Sequence, residues 1–308
     1  GTGRQEWDTD RFREHIVDAL ERHAPHLDQA SRNALVRASS YASANAANPD
    51  DVAKLIALAT NEGQSPIAIY LALPQGLFAS TIAAVGIADL PPGSRIVVEK
   101  PFGEDLKGAV ELNRLLQDSL GSAKNTTAYR VDHVLGMAPL QNLLGVRFAN
   151  PWVDAIWNGN YIEQVDVLWE ETLALEGRAT FYDKAGALKD VLQNHMIQVL
   201  CYAAMDRPNS LHAEDIQDKK VELLNAVRQL TPMDVQSHSQ RGRYTAGIQR
   251  NEDGSPGQHI PNYIDEKGVE STRETETFAE IVLRIDNDRW LGTKFVLQIG
   301  RASCRERV

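Results

Sequence analysis

Short apolar runs that alternate with amphipathic patterns constrain the fold of the first part of the chain most strongly. Each run has strand length and is bounded by polar residues or proline, and helical spacing of apolar residues separates one run from the next. The runs are 67–73, 95–99 and 126–131, and the helical patterns between them are 77–85 and 104–120. Strands that alternate with helices favour parallel pairing. We therefore predict a doubly wound parallel sheet, an α/β fold, over residues 1–131.

The hydrophobic pattern changes after residue 131. Alternating apolar residues at 165–169 and again at 281–285 predict antiparallel strands with one covered face. Helical spacing appears between them, around 188–199 and 215–228. We therefore predict a separate α+β domain over residues 132–298, with a largely antiparallel sheet.

The last ten residues, IGRASCRERV, interrupt the strand pattern that precedes them. They match the translation of a common sequencing adapter. We interpret residues 299–308 as an adapter-derived tail and predict that they lie outside the fold.

Composition excludes several classes of partner. The 308 residues carry a formal net charge of −10, which argues against binding to a nucleic acid backbone. No apolar run approaches the ~20 residues that a membrane-spanning helix needs, so we expect no membrane partner. Two cysteines form no disulfide framework and indicate a reducing compartment, so we expect a cytoplasmic protein.

Three polar clusters stand where a ligand could bind. Ligands of parallel sheets lie beyond the carboxyl ends of the strands, where Lys100 and the pair Asp132-His133 follow predicted strands. His195 lies on the apolar face of a predicted helix, beside Leu192 and Val199. Each cluster alone also fits a plain structural explanation: a solvated strand end, a solvated turn, and a core histidine bonded to a backbone carbonyl.

Taken together, the three clusters are much more specific. The segments EKPFG (99–103), YRVDHVLGM (129–137) and EGRATFYDKAGALKDVLQNH (176–195) resemble, in order and spacing, the motifs of the glucose-6-phosphate dehydrogenase family. The segment 273–297 is similar to the family's late sheet. The resemblance covers residues 1–298. It implies a truncated, NADP-binding Rossmann-like domain over 1–131 and a substrate and oligomerisation domain over 132–298.

The resemblance also implies a reaction and the residues that carry it. The family oxidises D-glucose 6-phosphate to 6-phospho-D-glucono-1,5-lactone, the entry to the pentose phosphate pathway, with hydride transfer to NADP. His195 matches the general base and Asp132 the carboxylate that orients it. The matching substrate residues are Lys100, His133, Glu171 and Asp190, with His133 at the phosphate and Glu171 and Asp190 at sugar hydroxyls.

The cofactor residues are implied in the same way. Arg4 matches an arginine that meets the adenosine 2′-phosphate, which favours NADP over NAD. Phe78 matches a cofactor-contacting tyrosine, and Lys100 lies between substrate and nicotinamide. The family's glycine-rich phosphate turn would precede Gly1, so we expect the chain as written to be a fragment that is unstable or inactive, and the full-length protein to be a homo-oligomer. No metal ion is expected.

Two departures from the family pattern leave the substrate open. Val134 and Met137 stand where the family has a phosphate-binding tyrosine and lysine. A charge-assisted hydrogen bond is worth ~1.5–3 kcal/mol, so one loss lowers affinity roughly tenfold to a hundredfold. Either other residues rebuild the phosphate site, or the substrate is an unphosphorylated aldose or another sugar phosphate. A non-catalytic homologue that binds a protein partner is the third alternative.

Overall fold

The chain divides into two compact units, Gly1–Val131 and Asp132–Val308, which are described separately. The division falls at the residue where the sequence pattern changes. The computed structural model describes residues 1–88, 90–100, 102–103, 105–120, 127–175, 177–250 and 255–302. Among these residues, no helix is both long enough and apolar enough to cross a membrane.

The first unit is built on parallel strands. Strands β1 (Thr2–Gly3) and β2 (Ala42–Ser43) form one parallel pair. Strands β3 (Ala68–Leu71), β4 (Arg95–Glu99) and β5 (Thr127–Val131) form a three-stranded parallel sheet in that order. The parallel sheet predicted from the alternating pattern is therefore confirmed.

Helices connect these strands, and their ends follow from local sequence. Helix α3 begins at Pro49, and the Asn48 side chain accepts hydrogen bonds from the backbone N–H groups of Asp50 and Asp51. Ile96 and Val98 of β4 are buried in the core of this unit. The helices are α1 (Thr9–His23), α2 (Gln29–Ala38), α3 (Pro49–Ala59), α4 (Phe78–Ile87) and α5 (Leu106–Leu120).

The second unit contains a mixed sheet. Its strand order is β6–β11–β10–β7, with β10 antiparallel to both neighbours and β11 parallel to β6. Strands β8 and β9 form a separate antiparallel pair. The strands are β6 (Gln164–Glu171), β7 (Ser239–Gly242), β8 (Gly247–Arg250), β9 (Pro256–Ile260), β10 (Phe278–Leu283) and β11 (Lys294–Arg301).

The direction of β6 corrects the sequence-based expectation of an antiparallel strand. The alternation of Val165, Val167 and Trp169 reports that one face is covered, which is true of either direction of pairing. Parallel pairing needs a long crossover connection, and the segment between β6 and β11, which contains helices as well as β7–β10, is long enough to provide one.

Strand β11 corrects a second expectation, because it continues through Arg301. Ile299 pairs with Ala279 on one side and Trp169 on the other, and it is 1% exposed. Residues 299–301 therefore belong to the sheet, although the sequence interpretation placed them outside the fold. Residues 303–308 of the interpreted tail lie outside the described residues.

Helices pack against this sheet and complete the core. The helix predicted around 188–199 is present, but Leu188–Met196 is a π-helix, with wider turns than an α-helix. Met196 and Leu200 are fully buried in the same core as Leu297 of β11. The α-helices are α6 (Ala138–Ala149), α7 (Pro151–Ile156), α8 (Ala179–Ala187), α9 (Ile197–Ala204), α10 (Ala213–Ala226) and α11 (Pro232–His238).

Candidate active site

A carboxylate and a histidine meet in the second unit. Asp132 begins a short 3₁₀ turn, His133–Gly136, and its Oδ1 accepts a hydrogen bond from the backbone N–H of Val134 at 3.1 Å. The same Oδ1 lies 2.6 Å from Nδ1 of His195, which the π-helix presents. With Nδ1 committed to Asp132, Nε2 is the ring nitrogen that can exchange a proton with a bound molecule.

Both side chains of this histidine–carboxylate pair are shielded from solvent. The His195 side chain is 3% exposed and that of Asp132 is 17% exposed. The His133 and His195 rings meet in an edge-type arrangement with their centroids 4.5 Å apart, and the Trp169 ring stacks on the His195 ring at 5.9 Å. The imidazole is therefore held on several sides, which fixes its orientation without a covalent tie.

The pKa of Asp132 reflects the same contacts. Partial burial raises the pKa of this carboxyl, but the hydrogen bond and charge of His195 lower it by more, and the Val134 N–H also lowers it. The pKa of Asp132 therefore lies below its ordinary value. The carboxylate stays ionised at neutral pH, as an orienting group for an imidazolium must.

A second polar cluster holds two further acids. The Nη2 atom of Arg301 lies 2.6 Å from Oε2 of Glu171 and 3.5 Å from Oδ2 of Asp190. The guanidinium also lies over the Tyr182 ring, with its carbon 4.6 Å from the ring centroid. Arg301 and Asp190 are both 8% exposed, so a largely buried guanidinium here faces two carboxylates.

Two elements connect the pair to the acid cluster. Trp169 and Glu171 are two residues apart on β6, so their side chains share one face of the strand. Asp190 and His195 lie on the same π-helix. The structure therefore brings together five of the sequence-predicted site residues within the second unit: Asp132, His133, Glu171, Asp190 and His195.

The other three predicted residues belong to the first unit. Arg4 is exposed directly after β1, and Lys100 is half-buried directly after β4. The Phe78 ring is 1% exposed and lies in the core of this unit, so its surroundings in this structure are protein side chains. Cofactor contact by these three residues stays a prediction.

Sequence reasoning missed two residues of this site. Trp169 was assigned only to the covered face of a strand, and no motif marked it as a neighbour of His195. Arg301 was set aside with the interpreted tail, although a basic residue directly after an apolar strand is the kind of signal that identified Lys100.

Asp132, His133 and His195 each offer a ligand atom within 4.8 Å of the others, so this trio could also hold a metal ion.

The two departures from the family pattern differ in burial. Val134 is 1% exposed and packs in the core of the second unit. Met137 is 45% exposed and immediately precedes α6. Neither side chain can donate a strong hydrogen bond to a phosphate.

Fold and site together define the class: a two-unit protein with a parallel sheet, a mixed sheet and a histidine–carboxylate pair. Comparison with known proteins specifies it further. The family model for the glucose-6-phosphate dehydrogenase NAD binding domain matches residues 1–142, and the model for the C-terminal domain matches residues 144–307. The chain therefore belongs to the glucose-6-phosphate dehydrogenase family.

Individual relatives agree with this assignment. The glucose-6-phosphate 1-dehydrogenase of Rhizobium meliloti is 36% identical over 311 residues, which cover 98% of this chain and 60% of the relative. The enzyme of Zymomonas mobilis is 35% identical, with 97% of this chain and 60% of the relative covered. This chain thus spans about 60% of the length of the curated relatives it matches.

Solved structures give the same result. The chain is similar to glucose-6-phosphate dehydrogenase in complex with its substrate glucose-6-phosphate, with a TM-score of 0.82 at 30% identity, covering 98% of this chain and 61% of that one. It is also similar to the glucose-6-phosphate 1-dehydrogenase of Mycobacterium avium, with a TM-score of 0.81 at 31% identity, covering 98% and 62% respectively.

Proposed function

We propose that this chain is part of a glucose-6-phosphate 1-dehydrogenase, which oxidises D-glucose 6-phosphate to 6-phospho-D-glucono-1,5-lactone. The observation that carries the proposal is the 2.6 Å contact between His195 Nδ1 and Asp132 Oδ1 in a nearly buried setting. A histidine oriented in this way is a general base, which removal of the C1 hydroxyl proton requires. Family membership supplies the substrate and the redox chemistry.

In this mechanism His195 Nε2 takes the proton of the sugar C1 hydroxyl. Asp132 stabilises the imidazolium that forms and keeps the ring in one tautomer. Bound NADP supplies the hydride acceptor. Glu171 and Asp190 accept hydrogen bonds from sugar hydroxyls, and His133 contacts the phosphate. Lys100 contacts both substrate and cofactor.

The first unit has cationic hydrogen-bond donors at positions where they could bind the phosphates of a cofactor. Arg4 and Lys100 directly follow strands β1 and β4, at the carboxyl ends where parallel sheets bind ligands. The preference for NADP over NAD rests on Arg4, because a guanidinium pairs well with a 2′-phosphate. The cysteine usage supports a cytoplasmic location, and the resemblance to the family supports a homo-oligomer.

The proposal is tested by NADP⁺ reduction in the presence of glucose 6-phosphate. The gene product is expressed from its complete open reading frame, as the unsubstituted protein and as His195→Asn. We expect kcat to fall by about 10²–10⁴-fold in the variant, the usual contribution of a general base, with substrate affinity nearly unchanged. Equal kcat values in the two proteins would contradict the role of His195. No turnover in either would contradict the proposed function.

A second candidate is a dehydrogenase of an unphosphorylated aldose or another sugar phosphate. Its support is the burial of Val134 at 1% exposure and the apolar side chain of Met137. A preference for glucose over its 6-phosphate would favour this candidate.

A further inference from the structure

One continuous helical segment carries two of the residues proposed to act on substrate. The π-helix Leu188–Met196 runs directly into α9, so residues 188–204 form a single helical segment. Asp190 lies near its start and His195 near its middle. A helix has partial positive charge at its N-terminus and partial negative charge at its C-terminus. Charged groups at the two ends can therefore fix such a segment in place.

A buried carboxylate lies at the N-terminus of the segment. Oε1 of Glu276 accepts a hydrogen bond from the backbone N–H of Leu188 at 3.0 Å, and the Glu276 backbone carbonyl accepts one from Ala187 at 3.1 Å. Glu276 is 9% exposed. Gly186 makes room for it: its φ is +72°, and a Cβ there would lie 2.8 Å from Cδ of Glu276. Only glycine fits this approach without strain.

A buried guanidinium lies at the C-terminus of the same segment. Nη1 and Nη2 of Arg147 donate to the carbonyls of Tyr202 and Met205, each at 2.7 Å, and Arg147 is 0% exposed. Two indoles complete this end. Nε1 of Trp157 donates to Ala203 O, and Nε1 of Trp290 donates to Ala204 O, both at 2.7 Å. The last carbonyls of α9, which a helix leaves without partners, are thus bonded by side chains.

Arg147 keeps its charge in this setting. Burial and, to a smaller extent, the charge of Arg289 lower its pKa, the charges of Asp154 and Asp206 raise it, and the net result is a pKa of about 10. A pKa of about 10 leaves the guanidinium protonated at neutral pH. A buried charge is expensive to desolvate, and apolar packing of equal volume often stabilises a fold as well or better. A role beyond stability is therefore the better account of Arg147.

Arg147 also connects the two segments that carry the histidine–carboxylate pair. It lies on α6, which follows the short turn that carries Asp132 and His133. Its two hydrogen bonds reach the end of the segment that carries His195. The distance between Asp132 and His195 therefore depends on this connection as well as on their own contact.

We propose that Glu276 and Arg147 are positioning residues, two opposite buried charges at opposite ends of helix 188–204 that fix its axial position and hold His195 against Asp132. The proposal deepens the proposed function and rests on it only for the reaction that the positioned groups perform. The positioning itself is a property of the substrate-free chain.

The test is proton NMR of the product of the complete open reading frame, without substrate or cofactor. The short His195–Asp132 hydrogen bond should give a strongly downfield imidazole N–H resonance, assigned by its loss in His195→Gln and in Asp132→Asn. We expect that resonance to be lost in Glu276→Ala and in Arg147→Met. In Glu276→Ala, exchange of the Leu188 amide should also become about ten- to a hundredfold faster, the factor expected for a hydrogen bond to a charged group.

Conservative variants keep the test decisive if a severe variant does not fold. Glu276→Gln retains an oxygen for Leu188 but no charge, and Arg147→Lys retains the charge but reaches fewer carbonyls. We expect the resonance to move upfield in both. The matched control is Asp183→Asn, another buried carboxylate of this unit, which accepts from Tyr263 and Glu270 instead. It should lower the melting temperature and leave the resonance in place.

Two results would overturn the proposal. One is the absence of the downfield resonance from the unsubstituted chain. The other is an unchanged resonance in all folded Glu276 and Arg147 variants, which would make these residues contributors to stability alone. Because the readout needs no turnover, a failure of the proposed function in the NADP⁺ assay leaves this result interpretable.

Discussion

Asp132 is the residue whose ionisation links the site to stability. Its pKa is lowered in the folded protein, so the folded state binds this proton more weakly than the unfolded chain does. Its stabilising contribution is therefore present above the ordinary carboxyl pKa of 3.8 and is lost as the pH falls through the lowered value. The ionised Asp132 therefore stabilises the folded protein at neutral and mildly acidic pH, and this contribution is lost only in strongly acidic solution.

We expect Asp132→Asn to lower the free energy of unfolding by about 1.5–3 kcal/mol at pH 7, the range for a hydrogen bond to a charged group. The difference from the unsubstituted protein should shrink steadily as the pH is lowered from 5 towards 2, because both proteins then lack the charge. Urea titrations across this pH range measure it. A difference that is constant with pH would show that the charge of Asp132 is not what stabilises the fold.

Met137 offers a test of substrate recognition at a single residue. Its side chain is 45% exposed beside the turn that carries His133, and a lysine there would restore the family's pattern. We expect Met137→Lys to lower KM for glucose 6-phosphate by roughly tenfold to a hundredfold if a charge-assisted hydrogen bond forms.

The matched control for this change is Met233→Lys. Met233 is 81% exposed on α11, so a lysine there adds the same charge at a distant surface position in the sequence. It should leave KM unchanged. Equal effects of the two lysines would mean that overall charge, and not a contact at residue 137, governs the affinity for the phosphate.

At the scale of elements, the start of the site helix depends on one backbone conformation. Gly186 adopts a positive φ of +72° where α8 meets the π-helix. We expect Gly186→Ala to lower the free energy of unfolding by at least about 1–3 kcal/mol, because a non-glycine residue in this region is strained and its Cβ would also press on Glu276. Chemical denaturation of the purified variant measures the change.

Gly145→Ala is the control for that substitution. Gly145 lies inside α6, and nothing comes within 4 Å of a Cβ built there. Alanine in a helix interior is favoured over glycine by about 0.5–1 kcal/mol, so this variant should be as stable as the parent or more so. A loss of stability equal to that of Gly186→Ala would contradict the explanation given for Gly186.

Elements also show where sequence patterns suffice and where they do not. The bounds of β4 follow from a local signal, an apolar run of strand length, and were predictable. The parallel direction of β6 was not, because alternation at 165–169 carries no information on pairing direction. The π-helix was not predictable either, since a helical face built on Leu188, Leu192 and His195 fits an α-helix equally well.

Some residues of the candidate site were also predictable from the sequence and others were not. Motif spacing identified Asp132 and His195, and the structure brings their side chains together. Motif spacing could not reveal that Arg301 pairs with Glu171 and Asp190, because three separate elements supply these residues. Nor could it assign Glu276 and Arg147 to the ends of the site helix. Such contacts arise from tertiary packing and leave no periodic trace in the sequence.

At the scale of the whole chain, the proposed sugar phosphate would have to be recognised by local charge. The net charge of these 308 residues is −10, which disfavours long-range attraction of an anion. Individual cationic and hydrogen-bonding groups must therefore provide the selectivity for the phosphate. Arg301 contacts Glu171 and Asp190 within the second unit, and Lys100 directly follows β4 in the first. The family's phosphate-binding tyrosine and lysine are replaced by Val134 and Met137.

The most direct test of the account compares kcat/KM for glucose 6-phosphate with kcat/KM for glucose, using NADP⁺ and the product of the complete open reading frame. We expect a preference of about a hundredfold or more for the phosphate, since a site built to bond a charged group rejects an analogue that lacks it. Similar values for the two sugars, or a preference for glucose, would contradict it and would show that Val134 and Met137 redefine the substrate.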